Sequence, residues 1–89
     1  MRYLIANKLN YLLKEKYTNY NIIESNSEKT ALNIYRADLT NFINKNIGIG
    51  NSPNFNPEVM AIDNGNTVII LNEKVDMSQL VRLSPKLKL

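Results

Sequence analysis

RYLIANKLNYLLKEKY, residues 2–17, governs the reading of the fold, because its state decides what the rest of the chain packs against. Ile5, Ala6, Leu9, Leu12, Leu13 and Tyr17 recur at three- and four-residue spacing within one arc, the pattern of an amphipathic helix. Lys16 intrudes near the end of that arc, where a long side chain snorkels and a cation suits the helix dipole. Leu4 and Tyr11 fall together on another side, a second small apolar spot that serves as a lip of the core or as a contact surface.

Working outward, TNYNIIE (residues 18–24) breaks the helical period, and Tyr20, Ile22 and Ile23 suit a short strand or an extended connector. Ser25 with Glu28 three residues on forms a capping-box pattern. It precedes a helix from Asn26 to about Asn46 whose stripe is Leu32, Tyr35, Leu39, Phe42 and Ile43. Gly48 follows as a helix-closing residue, and Pro53 and Pro57 punctuate a loop.

EVMAIDNGNTVIILNE (58–73) carries an Asn-Gly dipeptide between apolar, β-branched runs, a strong hairpin signal. A two-residue turn at Asn64 and Gly65 sets Asp63 opposite Asn66, Ile62 opposite Thr67, Ala61 opposite Val68, Met60 opposite Ile69 and Val59 opposite Ile70. Met60, Ile62, Ile69 and Leu71 then share one face, and Val59, Ala61, Val68 and Ile70 the other. Both faces are apolar and both need cover, from helices split across the sheet, from the C-terminal segment or from another molecule. Asp76 with Gln79 three residues on starts a short capped helix, ended by Ser84 and Pro85.

The fold expected is α+β: two amphipathic helices on an antiparallel hairpin that gains at most a third strand, then a short C-terminal helix. The 89 residues make one small domain with a basic tail at 84–89.

Composition narrows the chemistry. The chain has no cysteine, which excludes disulfides, zinc-thiolate sites and thiol nucleophiles. It has no histidine, which removes the commonest general base. The carboxylates show no metal or acid-base spacing, so no catalytic residue, cofactor, metal or small-molecule substrate is expected. The glycines of IGIG follow a helix instead of opening one, which is the wrong order for a phosphate cradle. The apolar runs are too short to span a bilayer and the N-terminus lacks a signal-peptide core, so a cytoplasmic protein with no membrane role is expected. Fifteen asparagines, within forty residues of Asn, Lys, Ile, Tyr and Phe, point to an AT-rich genome.

The net charge of +3 is unevenly placed: residues 1–17 and 74–89 each carry +3, and residues 48–73 carry −3. If the two ends meet, Arg2, Lys8, Lys14, Lys16, Arg82, Lys86 and Lys88 form one nucleic-acid surface with tyrosines interleaved. If they lie apart, the charge is ordinary solvation. The leading expectation is a non-enzymatic protein-interaction module from a phage or other mobile element of an AT-rich bacterium. It acts on a host defence or regulatory protein, or pairs with itself as a homodimer, through Tyr11, Phe55, Val59, Val68 and Ile70. The alternative is a small DNA- or RNA-binding regulator.

Overall fold

A computed structural model describes residues 1–46 and 55–84, without the side chains of residues 10 and 11. The chain runs β1 (Arg2–Tyr11), β2 (Lys14–Glu24), α1 (Glu28–Asn46), β3 (Pro57–Asp63), β4 (Val68–Ile70) and α2 (Met77–Leu83). The strands form an antiparallel sheet in the order β2-β1-β3-β4. The α+β class is as expected, with four strands instead of two or three. Gly48 and the tail at 85–89 lie outside the described residues.

The expected helix at 2–17 is a β-hairpin. Five consecutive residues, Tyr3 to Asn7, are buried. One helix face cannot bury five in a row, but a strand covered on both sides does so naturally. Tyr3 and Ile5 join a core under α1, while Leu4 and Ala6 join a second core under α2. The hairpin turns at Leu12 and Leu13, which carry φ of 50° and 66°. Tyr11 pairs with Lys14 across that two-residue turn, and positive φ at both positions is the pattern of a type I′ turn. Residues 18–24 are the end of β2, so the strand considered there exists as part of a longer one. The ladder slips where Asn19 and Tyr20 together oppose Ala6, a bulge with Asn19 at φ 54°.

Strands β2 and β3 run parallel with β1 between them, so α1 crosses over β1 on one face of the sheet. Ala31, Tyr35, Leu39 and Ile43 are its buried positions, four apart. Phe42, expected in the stripe, is 56% exposed. The cap also differs from the expected Ser25. Ser27 Oγ accepts from the Thr30 amide at 3.2 Å and its carbonyl accepts from Ala31, which makes Ser27 the N-cap.

The Asn64-Gly65 hairpin is present, with a longer loop. Asp63 pairs with Val68, Ile62 with Ile69 and Ala61 with Ile70. The register is therefore two residues away from the one expected, and Asn64–Thr67 form the connection. Side-chain bonds take up the extra residues: Asp63 Oδ1 accepts from Gly65, and Asn64 Oδ1 accepts from both Asn66 and Thr67.

The expected face assignment fails at two residues, Val59 and Met60. Leu4 pairs with Ala61 and Ile5 with Val59, so Met60 is the extra residue of a bulge. Met60 and Ala61 both turn to the α2 core, and Val59 falls on the α1 core with Ile62. Helix α2 starts as expected at Asp76, whose carboxylate accepts from the Ser78 amide at 3.0 Å. Gln79 does not complete a capping box: the Asp76 amide donates to the Tyr20 hydroxyl, and Gln79 Oε1 accepts from Arg82.

Candidate functional site

The two edges of the sheet differ in how well they are protected. β2, the long edge, carries Lys14, Glu15, Lys16 and Glu24 and is interrupted by the Asn19 bulge. Charges and a bulge are the usual devices that stop a second strand from docking. β4 has neither. Its stretch TVIIL (67–71) is uncharged, and Ile69, Ile70 and Leu71 are 46%, 48% and 52% exposed. α1 does not cover them, although Ile69 shares the α1 side with half-buried Ile62.

The open hydrogen-bonding groups of β4 follow from its pairing. Thr67 accepts from the Asn64 amide and Leu71 donates to the Met60 carbonyl. Antiparallel alternation then turns the N–H and C=O of Val68 and Ile70 to the open side. No strand pairs with that side among the described residues. β4 is thus an apolar, uncharged template with donors and acceptors spaced for an added strand.

The surface expected from the sequence is divided by the fold. Val68 and Ile70 are on β4, Val68 half-buried against the α2 core and Ile70 exposed. Val59 is a correction: at 6% exposure it belongs to the core under α1, because the Met60 bulge reverses its side. Phe55 packs half-buried against the same core, beside Asn56, whose amide donates to the buried Asn7 Oδ1 at 2.7 Å. Tyr11 ends β1 at the far tip of the molecule; its side chain lies outside the described residues. Ile69 and Leu71 complete the β4 patch; in the sequence reading they lay on the face opposite Val68 and Ile70 and were not selected.

Nor do the described basic residues form one surface. Arg2 begins β1, and its guanidinium donates to the Leu83 carbonyl at the end of α2, near Arg82. Lys8, Lys14 and Lys16 lie toward the other end of the first hairpin. Lys86 and Lys88 lie outside the described residues. Lys8 is engaged, since Glu15 accepts ion pairs from Lys8 at 3.1 Å and Lys74 at 2.7 Å. These bonds hold the Glu15 carboxyl below its ordinary range, Lys74 contributing most, and raise both lysines. Lys14 and Lys16 have no ion pair among the described residues.

This cluster braces the first hairpin. β1 pairs with β3 from Arg2 to Asn7 and the Lys8 amide still donates to the Asn56 carbonyl, so residues 9–16 project beyond the sheet as a two-stranded arm. Its root is tied to the loop before α2 by the Glu15–Lys74 pair and by Asn72, whose amide donates to the Tyr17 hydroxyl and to Glu58. Its apex is Leu12 and Leu13, 78% and 108% exposed. Sequence reasoning missed this apex, since a type I′ turn is ordinarily announced by Asn or Gly.

A cleft of about 290 Å³ lies between α1 and the β2 bulge, walled by Asn19, Asn21, Tyr35, Asp38, Leu39 and Phe42. The Tyr35 hydroxyl already donates to the Asn19 carbonyl at 2.7 Å. Burial pushes that phenol up to about 12, which removes it as a base near neutral pH. The cleft is thus lined by one carboxylate, Asp38, two asparagines and the apolar Leu39 and Phe42. No cluster of potential metal ligands occurs among the described residues, and no described helix is long and apolar enough to cross a membrane.

The chain matches no protein-family model, and no curated protein or solved structure is similar to it. Any functional reading therefore rests on the geometry above.

Proposed function

We propose that the protein is a small non-enzymatic binding module that engages a larger protein by strand addition at β4. The observation that carries this reading is the β4 edge: three adjacent apolar residues about half exposed, no charge from Thr67 to Leu71, and the backbone groups of Val68 and Ile70 turned outward. Strand addition uses main-chain bonds for affinity and alternate side chains for selectivity, and both are present. The AT-rich composition supports a place on a phage or other mobile element, with a host defence or regulatory protein as the target.

Ile70→Pro tests the reading with little risk to the fold. The Ile70 N–H faces outward, so proline removes an edge donor without taking a bond from the β3 ladder. The variant should keep the circular dichroism spectrum and a Tm within a few degrees of wild type. It should lose the proteins that immobilised wild type captures from cells carrying the gene, and any self-association seen by light scattering. Ile69→Lys should act alike, by placing a charge on the edge. Capture unchanged in both variants would move the binding surface elsewhere.

A further inference from the structure

Leu12 and Leu13 call for an explanation that folding does not supply. Both are in the left-handed conformation that L-residues adopt at a cost, and neither touches either core. They stand 78% and 108% exposed at a convex apex. Backbone strain combined with exposed apolar surface, on an arm braced at its root, marks a feature kept for something outside the fold.

The surroundings of the apex indicate what it meets. Lys14 is the next residue, and Lys16 lies three residues behind Leu13, roughly 10 Å back along the strand. Both are exposed and lack ion pairs among the described residues. Lys8 lies on the neighbouring strand, and the arm's carboxylate, Glu15, is held between Lys8 and Lys74. An approaching negative surface thus meets apolar side chains first and cations a few ångströms behind, with no unpaired carboxylate on the arm. The apex is convex and its two turn residues are both apolar, so it suits a yielding surface better than a shaped pocket.

We propose that the arm is a peripheral anchor for an anionic lipid bilayer. Leu12 and Leu13 enter the boundary between headgroups and acyl chains, a zone roughly 5–10 Å deep. Lys14 and Lys16, with Lys8 behind them, then lie at the level of the lipid phosphates and carboxylates. No described helix is long and apolar enough to cross a membrane, and two leucines with a few lysines make the attachment weak and reversible. The site is separate from β4, so one edge can hold a protein while the arm holds a surface.

The test is flotation of the whole protein with vesicles of phosphatidylcholine alone, or of phosphatidylcholine with about one-third phosphatidylserine, at lipid concentrations on the order of millimolar. Wild type should float with the anionic vesicles at low salt and be released in part as salt rises, down to a residual held by Leu12 and Leu13. The decisive variant is Leu12→Asn with Leu13→Gly, which installs the residues a type I′ turn prefers and so preserves the hairpin while deleting the apolar apex. It should lose roughly tenfold or more in partitioning, from the apolar area withdrawn. Lys14→Ala and Lys16→Ala should each lose roughly fivefold. Ile70→Pro should float like wild type, which separates failure here from failure of the β4 reading. The proposal is overturned if wild type does not float, as expected of an apex built for a protein pocket. It is overturned equally if neutral vesicles bind as well as anionic ones, or if the Asn-Gly variant floats undiminished.

Discussion

Leu12 and Leu13 occupy positions that hairpins usually give to asparagine and glycine, and the local energy can be read from that mismatch. A left-handed L-residue costs about 1–2 kcal/mol, while Asn tolerates the region and Gly adopts it freely. Leu12→Asn with Leu13→Gly should therefore stabilise the protein by ~1–2 kcal/mol, a rise in Tm of roughly 4–15 °C for a domain this size. Thermal unfolding checks this; a fall in Tm would show that the leucines make contacts the fold needs. A gain in stability together with a loss of surface binding would identify the strain as selected for function. Tyr35 poses a different single-residue question. Burial raises its phenol to about 12, against about 10 when unfolded. Its contribution to stability is thus complete below pH ~10 and lost as pH rises from there through ~12. Tyr35→Phe should flatten that alkaline loss relative to wild type, while giving up the bond to Asn19. Equal slopes for the two proteins above pH ~10 would show that Tyr35 ionises as freely in the fold as outside it.

Among the elements, α1 offers the cleanest contrast between pattern and packing. Leu39 and Phe42 both belong to the stripe read from the sequence, yet Leu39 is 7% exposed and Phe42 56%. Leu39→Ala should cost ~2–5 kcal/mol, whereas Phe42→Ala should change stability by less than ~1 kcal/mol, since it leaves no cavity. Urea titration separates the two; a large loss at Phe42 would mean that its ring is covered in solution. The same contrast shows which elements were legible. α1, the Asn64-Gly65 hairpin and α2 were visible because each carries a local signal: a period-four stripe, a turn dipeptide, and an Asp cap. The first hairpin was not. β1 is covered on both faces, so Tyr3, Leu4, Ile5 and Ala6 lose the strand period of two, and its turn is written in leucine. Leu9, Leu12 and Leu13 then complete a false helical arc. The remaining hint was compositional, since Tyr17, Thr18, Tyr20, Ile22 and Ile23 favour a strand. Bulges were equally silent: nothing in VMAI announces that Met60 and Ala61 turn the same way, and this sent Val59 to the wrong surface. The candidate site was legible in part, since Val68 and Ile70 were selected for the apolarity that the open edge displays.

For the molecule as a whole, the separation of its charges decides how it meets a polyanion. Arg2 and Arg82 sit at one end, with Arg2 already bonded to the Leu83 carbonyl. Lys14 and Lys16 sit at the other, beyond a strand whose nine steps from Arg2 to Tyr11 span about 30 Å. Between them lies the pairing of Glu15 with Lys8 and Lys74, which cancels part of the field. A linear phosphate backbone touching one end therefore gains the described cations of that end alone. Each phosphate contact contributes about −0.9 to the slope of log affinity against log salt. Anisotropy titrations with duplex and single-stranded DNA and RNA should accordingly give weak binding at low salt, with a slope no steeper than about −3. A slope near −6 would require both ends to reach one nucleic acid, and would restore the regulator reading. The same geometry makes a fluid anionic surface the better match for the arm, because it needs only Lys14 and Lys16, which lack ion pairs among the described residues, and the two leucines ahead of them. Salt should then act differently on the two ligands: nucleic-acid binding should vanish as salt rises, while vesicle binding should level off at a residual set by Leu12 and Leu13. A vesicle signal that falls to zero with salt, as the nucleic-acid signal does, would reduce the arm to a cationic patch.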